Sequence, residues 1–166
     1  ETLGKSAFAY CSALQEINLS SLISVIPEGA FMSCTSLQSV TLPANTQSIE
    51  PQAFYSCTAL SEIRLPEHVK NIGQSAFAYC SSLENVVLNN NLTEIPAYCF
   101  DGCTKLKNIN LNQGIEAIGD GAFLYCRNLE AITFSENLKT IGSRAFESCN
   151  RLKTITLPSQ VEFVGA

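Results

Sequence analysis

Histidine is almost absent from this 166-residue chain, with His68 standing alone. There is no glycine-rich phosphate loop after a strand and no Ser-His-Asp set, so no nucleophile has a base to activate it and catalysis has no foothold. Basic residues are also scarce, ten Lys and Arg against fifteen Asp and Glu, and no basic run collects them. A positive stripe is what contact with a phosphate backbone needs, which excludes nucleic acid as a partner. Long apolar runs are missing too. Nothing approaches the roughly 20 residues of a membrane-spanning helix, which excludes membrane insertion by this chain. The opening residues Glu1-Thr2-Leu3-Gly4 show neither the basic nor the apolar region of a signal peptide, so either the protein is not exported or the signal has been removed. Paired metal ligands are lacking as well. Zinc sites use local pairs such as C-x2-C, whereas seven of the eight cysteines stand 23 residues apart, and Cys99 and Cys103, four apart, have no third Cys or His following in ligand spacing. No metal or other cofactor is expected.

What remains is a mildly acidic chain of net charge -5, 46% hydrophobic and 15% charged, the balance of a folded protein. Its dominant feature is periodicity. Phenylalanine recurs at Phe8, Phe31, Phe54, Phe77, Phe100, Phe123 and Phe146, and three residues after each lies Cys11, Cys34, Cys57, Cys80, Cys103, Cys126 or Cys149. Strict self-similarity at 23 residues means a stacked array of one supersecondary unit, not a domain with a single central core.

With each phenylalanine taken as position zero, plus six is always Leu, from Leu14 to Leu152, and plus nine is always Ile or Val. Plus eleven is Leu, except Phe134. Plus nine and plus eleven alternate with polar residues, as in Glu62-Ile63-Arg64-Leu65, which predicts a short strand with one buried face. Pro43, Pro66 and Pro158, or the asparagines Asn89-Asn90-Asn91 and Asn112, then signal a turn. Minus eight is aliphatic apart from Thr46, and minus five is aliphatic throughout. Gly or Pro usually follows at minus four and bends the chain into the Ala-Phe segment. There the spacing of zero and plus three predicts a single helical turn with Phe and Cys both inward.

The pattern Leu-x-x-Ile-x-Leu-Pro-x-x-Val-x-x-Ile-Gly-x-x-Ala-Phe-x-x-Cys, read from Leu60 to Cys80, resembles the 23-residue BspA-type, or Treponema pallidum type, leucine-rich repeat. The resemblance covers the whole chain. It implies an α/β repeat solenoid: a right-handed curved leucine-rich-repeat array of about seven repeats, with a concave parallel β-sheet and short helical turns on the convex side. It further implies a non-catalytic module of an exported or cell-surface protein, since members are mostly surface or secreted proteins of host-associated bacteria and several are implicated in adhesion. The partner it implies is a protein, from host matrix or a microbial surface. A structural spacer projecting another domain, or a targeting module fused to an enzyme, are the alternatives. Residues 1–166 read as one solenoid that begins and ends inside a repeat without a polar cap, which is the expectation for a piece of a longer array. Oligomeric state has no signature.

Three features carry candidate chemistry. The cysteine ladder reads as buried, reduced filler, although neighbouring coils about 5 Å apart would also allow disulfide pairing. On the strand face, the default binding surface of a solenoid, the outward positions are polar and nearly uncharged. Glu62, Arg64, Asn85, Val87, Asn108 and Asn110 form its most distinctive middle and are the candidate protein-binding residues. Tyr10, Tyr79 and Tyr125 share plus two on the convex side. They are either contact residues or rings lying sideways over small neighbours.

Overall fold

The alternating segment of each unit does form a strand. In the computed structural model, which describes residues 2–166 and so excludes Glu1 of the opening stretch, eleven short strands β1 to β11 fall in two sets. The plus eight to plus ten segment makes β3 (Glu62–Arg64), β5 (Asn85–Val87), β7 (Asn108–Asn110) and β9 (Ala131–Thr133). β3 pairs with β5 and β7 with β9, in parallel, each residue opposite its equivalent in the next coil, as Ile63 opposite Val86. Asn18 and Thr41 form an isolated parallel bridge on the same line. The architecture is a parallel-strand β-solenoid, whose inward Ile, Val and Leu share one core along the stack.

The aliphatic minus five position makes a second set. β1 (Val25–Ile26), β2 (Ser48–Ile49) and β4 (Asn71–Ile72) form one parallel sheet, and β6 (Glu94–Ile95), β8 (Ala117–Ile118), β10 (Thr140–Ile141) and β11 (Phe163–Val164) form another. Two residues are too few for a period-two pattern to show, so the sequence marks these positions only as inward. The break between the sheets has a residue-level cause. At minus four the N–H normally donates to the minus five carbonyl of the preceding coil, as Gly73 N to Ile49 O at 2.7 Å and Gly119 N to Ile95 O at 2.8 Å. Pro96 occupies that position and has no N–H to offer Ile72.

The single helical turn expected between phenylalanine and cysteine is not formed, and no helix is present among the described residues. Every positive-φ residue falls at minus two (Ser6, Gly29, Gln52, Ser75, Tyr98, Gly121, Arg144) or plus two (Tyr10, Ser33, Ser56, Tyr79, Gly102, Tyr125, Ser148). A right-handed helix cannot run through left-handed residues spaced four apart. Instead the donors alternate. Ala76, Ala78 and Cys80 close turns on the carbonyls of Gly73, Ser75 and Phe77, while Ser75, Phe77 and Tyr79 donate to Ala97, Cys99 and Asp101 of the next coil. These bonds between coils hold Ser, Gln, Arg and Tyr in a conformation that glycine adopts without cost, which is why residue type did not announce it.

Phe and Cys do point inward, as the spacing required. The phenylalanines stack in a column with ring centroids 5.2 to 5.7 Å apart and interplanar angles of 3° to 15°. The cysteines are all free thiols, buried except Cys11 in the first coil. They do more than fill space: at plus three, each Sγ–H from Cys34 to Cys149 donates to the carbonyl of the phenylalanine one coil back, as Cys80 to Phe54 O at 3.2 Å and Cys103 to Phe77 O at 3.3 Å, whereas Cys99 lies outside this ladder. Burial pushes the thiols up, Cys57 to about 12 and Cys149 to about 11, with Cys80, Cys103 and Cys126 also held well above the ordinary value. Thr46 sits in the core without penalty because its Oγ1–H donates to Pro43 O at 2.8 Å.

The turn after the three-residue strand has one rule at plus twelve. The residue is either proline (Pro43, Pro66, Pro158) or a side chain whose oxygen accepts the N–H two residues on. Ser20 accepts from Leu22, Asn89 from Asn91, Asn112 from Gly114 and Ser135 from Asn137. Asn89, 2% exposed, also donates Nδ2–H to Pro66 O (2.6 Å) and Val69 O (2.8 Å) of the preceding coil. Replacing Asn89 by Ala strands these groups and is expected to cost about 2 to 3 kcal/mol, the penalty of leaving buried polar groups unpaired. Asn89→Pro restores the turn alone and should recover about half of that loss. Denaturant midpoints of the two variants check this, and equal midpoints for Asn89→Ala and the parent would refute it.

Candidate functional site

The pleat of β3, β5 and β7 sends alternate side chains out of the core, and this brings the six strand-face candidates onto one surface. Glu62, Arg64, Asn85, Val87, Asn108 and Asn110 are all exposed, while Ile63 and Ile109 between them are 2% exposed. Two adjoining depressions take them in. One, of about 240 Å³, is lined by Glu62, Arg64, Asn85 and Val87 together with Val40 and Thr41. The other, of about 310 Å³, is lined by Asn85, Val87, Asn108 and Asn110 with the flanking backbone. Glu62 and Arg64 engage no ion pair among the described residues. The surface therefore offers one free cation, one free carboxylate and three amides, with Val87 as its apolar contact.

The strand ladder is open where these depressions lie. No strand pairing links Thr41 to Arg64 or Val87 to Asn110, whereas β3–β5 and β7–β9 are fully paired. A third depression, of about 470 Å³, lies at the next unpaired step, between Thr133 and the Thr154-Thr156 segment. The sequence reading did not single it out, because threonine suits a strand whatever it contacts. The chemistry this face can offer is shape and hydrogen bonding.

The tyrosines divide. Tyr10, 71% exposed, stands three coils before Tyr79 and gives its hydroxyl to Met32 Sδ at 3.6 Å. Tyr79 and Tyr125 lie two coils apart on the turn face, part of a larger group. Tyr79 meets Tyr55 edge-on at 5.4 Å, and the Arg127 guanidinium lies 5.9 Å from the Tyr125 ring centroid. The Tyr79 ring lies sideways over Gly102 of the next coil, where a Cβ would come within 2.7 Å of it. The Tyr98 ring lies in the same way over Gly121. Sequence reasoning missed Asp101, which is buried beside this group. A partial signal was present: plus one is Ala78 in the coil before and Leu124 in the coil after, and the other acid at plus one, Glu147, is exposed, so a buried carboxylate at Asp101 departs from its neighbours. No group of three or more His, Cys, Asp or Glu among the described residues is placed to hold a metal ion, and no helix is long and apolar enough to cross a membrane.

The chain matches the family described as the BspA type leucine-rich repeat region, in six copies, over residues 1–116 and 47–166. Among solved structures, a leucine-rich repeat protein from Bacteroides ovatus is similar with a TM-score of 0.93 and 34% identity, over 99% of this chain and 42% of that one. The T. pallidum leucine-rich repeat protein has a TM-score of 0.85 and 34% identity, over 92% of this chain and 71% of that one. A leucine-rich repeat protein from Eubacterium ventriosum shares the fold, with a TM-score of 0.76 and 24% identity over 91% of this chain and 41% of that one. The chain thus spans less than half of the Bacteroides ovatus protein. No curated protein matches it.

Proposed function

Because this chain belongs to the BspA-type leucine-rich repeat family, we propose that it is a non-catalytic protein-binding module of an exported or cell-surface protein, one that contacts host matrix or microbial surface proteins. The family is a protein-interaction fold. In the geometry the resemblance implies, a right-handed curved array, the three-residue strands line the concave face. The observation that carries the reading is the pair of depressions over β3, β5 and β7, where Arg64, Glu62 and the amides of Asn85, Asn108 and Asn110 are exposed and free of ion pairs. Broad polar contact of this kind needs no catalytic signature. It acts by complementarity over several coils, with charge setting orientation and rate.

The experiment is binding of the chain to immobilised host matrix proteins, compared with Arg64→Glu and Asn108→Ala. Both residues are exposed, so neither change disturbs the core, and melting temperatures should stay close to the parent's. Arg64→Glu is expected to weaken binding at least tenfold, about 1.4 kcal/mol, and Asn108→Ala by less. Equal binding by variants and parent removes the strand-face site. Absence of any binding favours the alternative of a spacer, a role that the unbroken phenylalanine column would suit.

A further inference from the structure

On the turn face, away from the strand-face depressions, Asp101 is 5% exposed and its Oδ1 is fully buried with no hydrogen-bond partner. The Tyr79 phenol and the Arg144 charge favour the ionised carboxylate, but neither hydrogen-bonds Oδ1, and a buried carboxylate oxygen left without a donor disfavours the fold. Nothing in the stack requires it. The same position is filled by Ala78 one coil before and Leu124 one coil after, both buried, so an apolar side chain fits the site. The nearby cations are committed elsewhere. Arg144 places Nε 2.5 Å and Nη2 3.1 Å from the Glu147 carboxylate, and Arg127 lies over the Tyr125 ring. The Tyr79 N–H donates to Asp101 O at 2.6 Å, which places the two residues side by side. Burial pushes the Asp101 carboxyl up against the pull of the Tyr79 hydrogen bond and the Arg144 charge, and the Asp101 charge pushes the Tyr79 phenol up.

Around this acid the chain gathers aromatic rings. Tyr79 lies against Gly102, the residue after Asp101; Tyr55 meets Tyr79 edge-on; Tyr98 covers Gly121. Tyr79 and Tyr125 remain 41% and 36% exposed, so the rim can be reached from solvent. Tyrosine faces attract cations, and a phenol oxygen adds an acceptor. We propose that this surface is a receptor for a basic side chain of a protein partner, its guanidinium or ammonium group seated between Tyr79 and Tyr125 and against Asp101. A divalent ion fits less well, because it needs several oxygen ligands and Asp101 is not part of any group of three candidate ligands among the described residues. The chain's net charge of -5 also favours approach of a basic partner.

The chain has no tryptophan, so its five tyrosines provide the emission, and the probe can be simple. Titration with arginine amide is expected to change tyrosine emission saturably, and the neutral control norleucine amide is not. Asp101→Asn keeps the shape and removes the charge, and it is expected to weaken arginine amide at least tenfold while the melting temperature holds or rises. Tyr125→Ser, which installs the residue found at this position in Ser33, Ser56 and Ser148, is expected to weaken it several-fold and keeps the test open should Asp101→Asn fold poorly. A linear response, or equal affinity for the parent and a folded variant of this pair, overturns the proposal. Arg64→Glu, on the strand face, should leave the arginine response unchanged, so failure here and failure of the strand-face reading are separate results.

Discussion

Raising the pH from 8 to 10 under reducing conditions is expected to unfold the chain. Cys57, Cys80, Cys99, Cys103, Cys126 and Cys149 are buried thiols that desolvation holds above the ordinary value of 9.0, Cys57 at about 12 and Cys149 at about 11. In the unfolded chain they ionise near the ordinary value. The folded state therefore binds these protons more tightly than the unfolded state. Their stabilising contribution is complete below pH 9 and is lost as the pH rises from there toward the folded values. Each thiol that ionises only on unfolding removes about 1.4 kcal/mol by one pH unit above its unfolded value, and six remove about 8 kcal/mol. A whole domain commonly has about 5 to 15 kcal/mol. In a Cys11→Ser background, which removes the exposed thiol, circular dichroism and thiolate absorbance should thus change together, in one step. Replacing Cys80 and Cys103 by Ala should make the loss of stability with pH shallower by about a third, because two of the six linked protons are gone. Thiolate absorbance rising near pH 9 while the folded signal persists would mean that the thiols titrate inside the stack, and the prediction would be wrong.

Truncating Phe77 to Ala is expected to cost about 4 kcal/mol, the middle of the range for a large buried ring. Phe77 is 0% exposed, and its ring centroid lies 5.5 Å from that of Phe54 and 5.7 Å from that of Phe100. The gap cannot close by sliding the neighbours together. Their spacing is set by backbone bonds from Phe54 N to Ala76 O and from Phe77 N to Cys99 O. Phe8, only partly buried and with a single ring neighbour in Phe31, should cost less than half as much on the same change. In a quasi-one-dimensional stack the cost of a deletion depends on how many coils flank it. Chemical denaturation of Phe8→Ala and Phe77→Ala compares them directly, and equal losses would argue for a core without this columnar order.

The strand-face candidates and the phenylalanine, leucine and cysteine positions were legible because both rest on periodicity. Glu62-Ile63-Arg64 states which side chains leave the core before any coordinate does. Asp101 was visible only as an acid at a position that Glu147 also fills, and that it is buried with Oδ1 orphaned, whereas Glu147 is exposed, shows only once the coils are stacked. Pro96 was visible as a bend, while its effect on the second ladder needed the partner carbonyl of Ile72 to be placed.

The 23-residue repeat by itself determined the stacked solenoid, its core positions and its polar strand face, because periodic apolar spacing fixes which side chains must share an interior. Only the tertiary structure decided the course of the Ala-Phe-x-x-Cys segment. Its local spacing suits a helical turn, but half of its N–H groups find their carbonyls in the next coil, and that bonding holds minus two and plus two in the left-handed region. Hydrogen bonds between coils outweigh local preference there, and no reading of one repeat alone contains them.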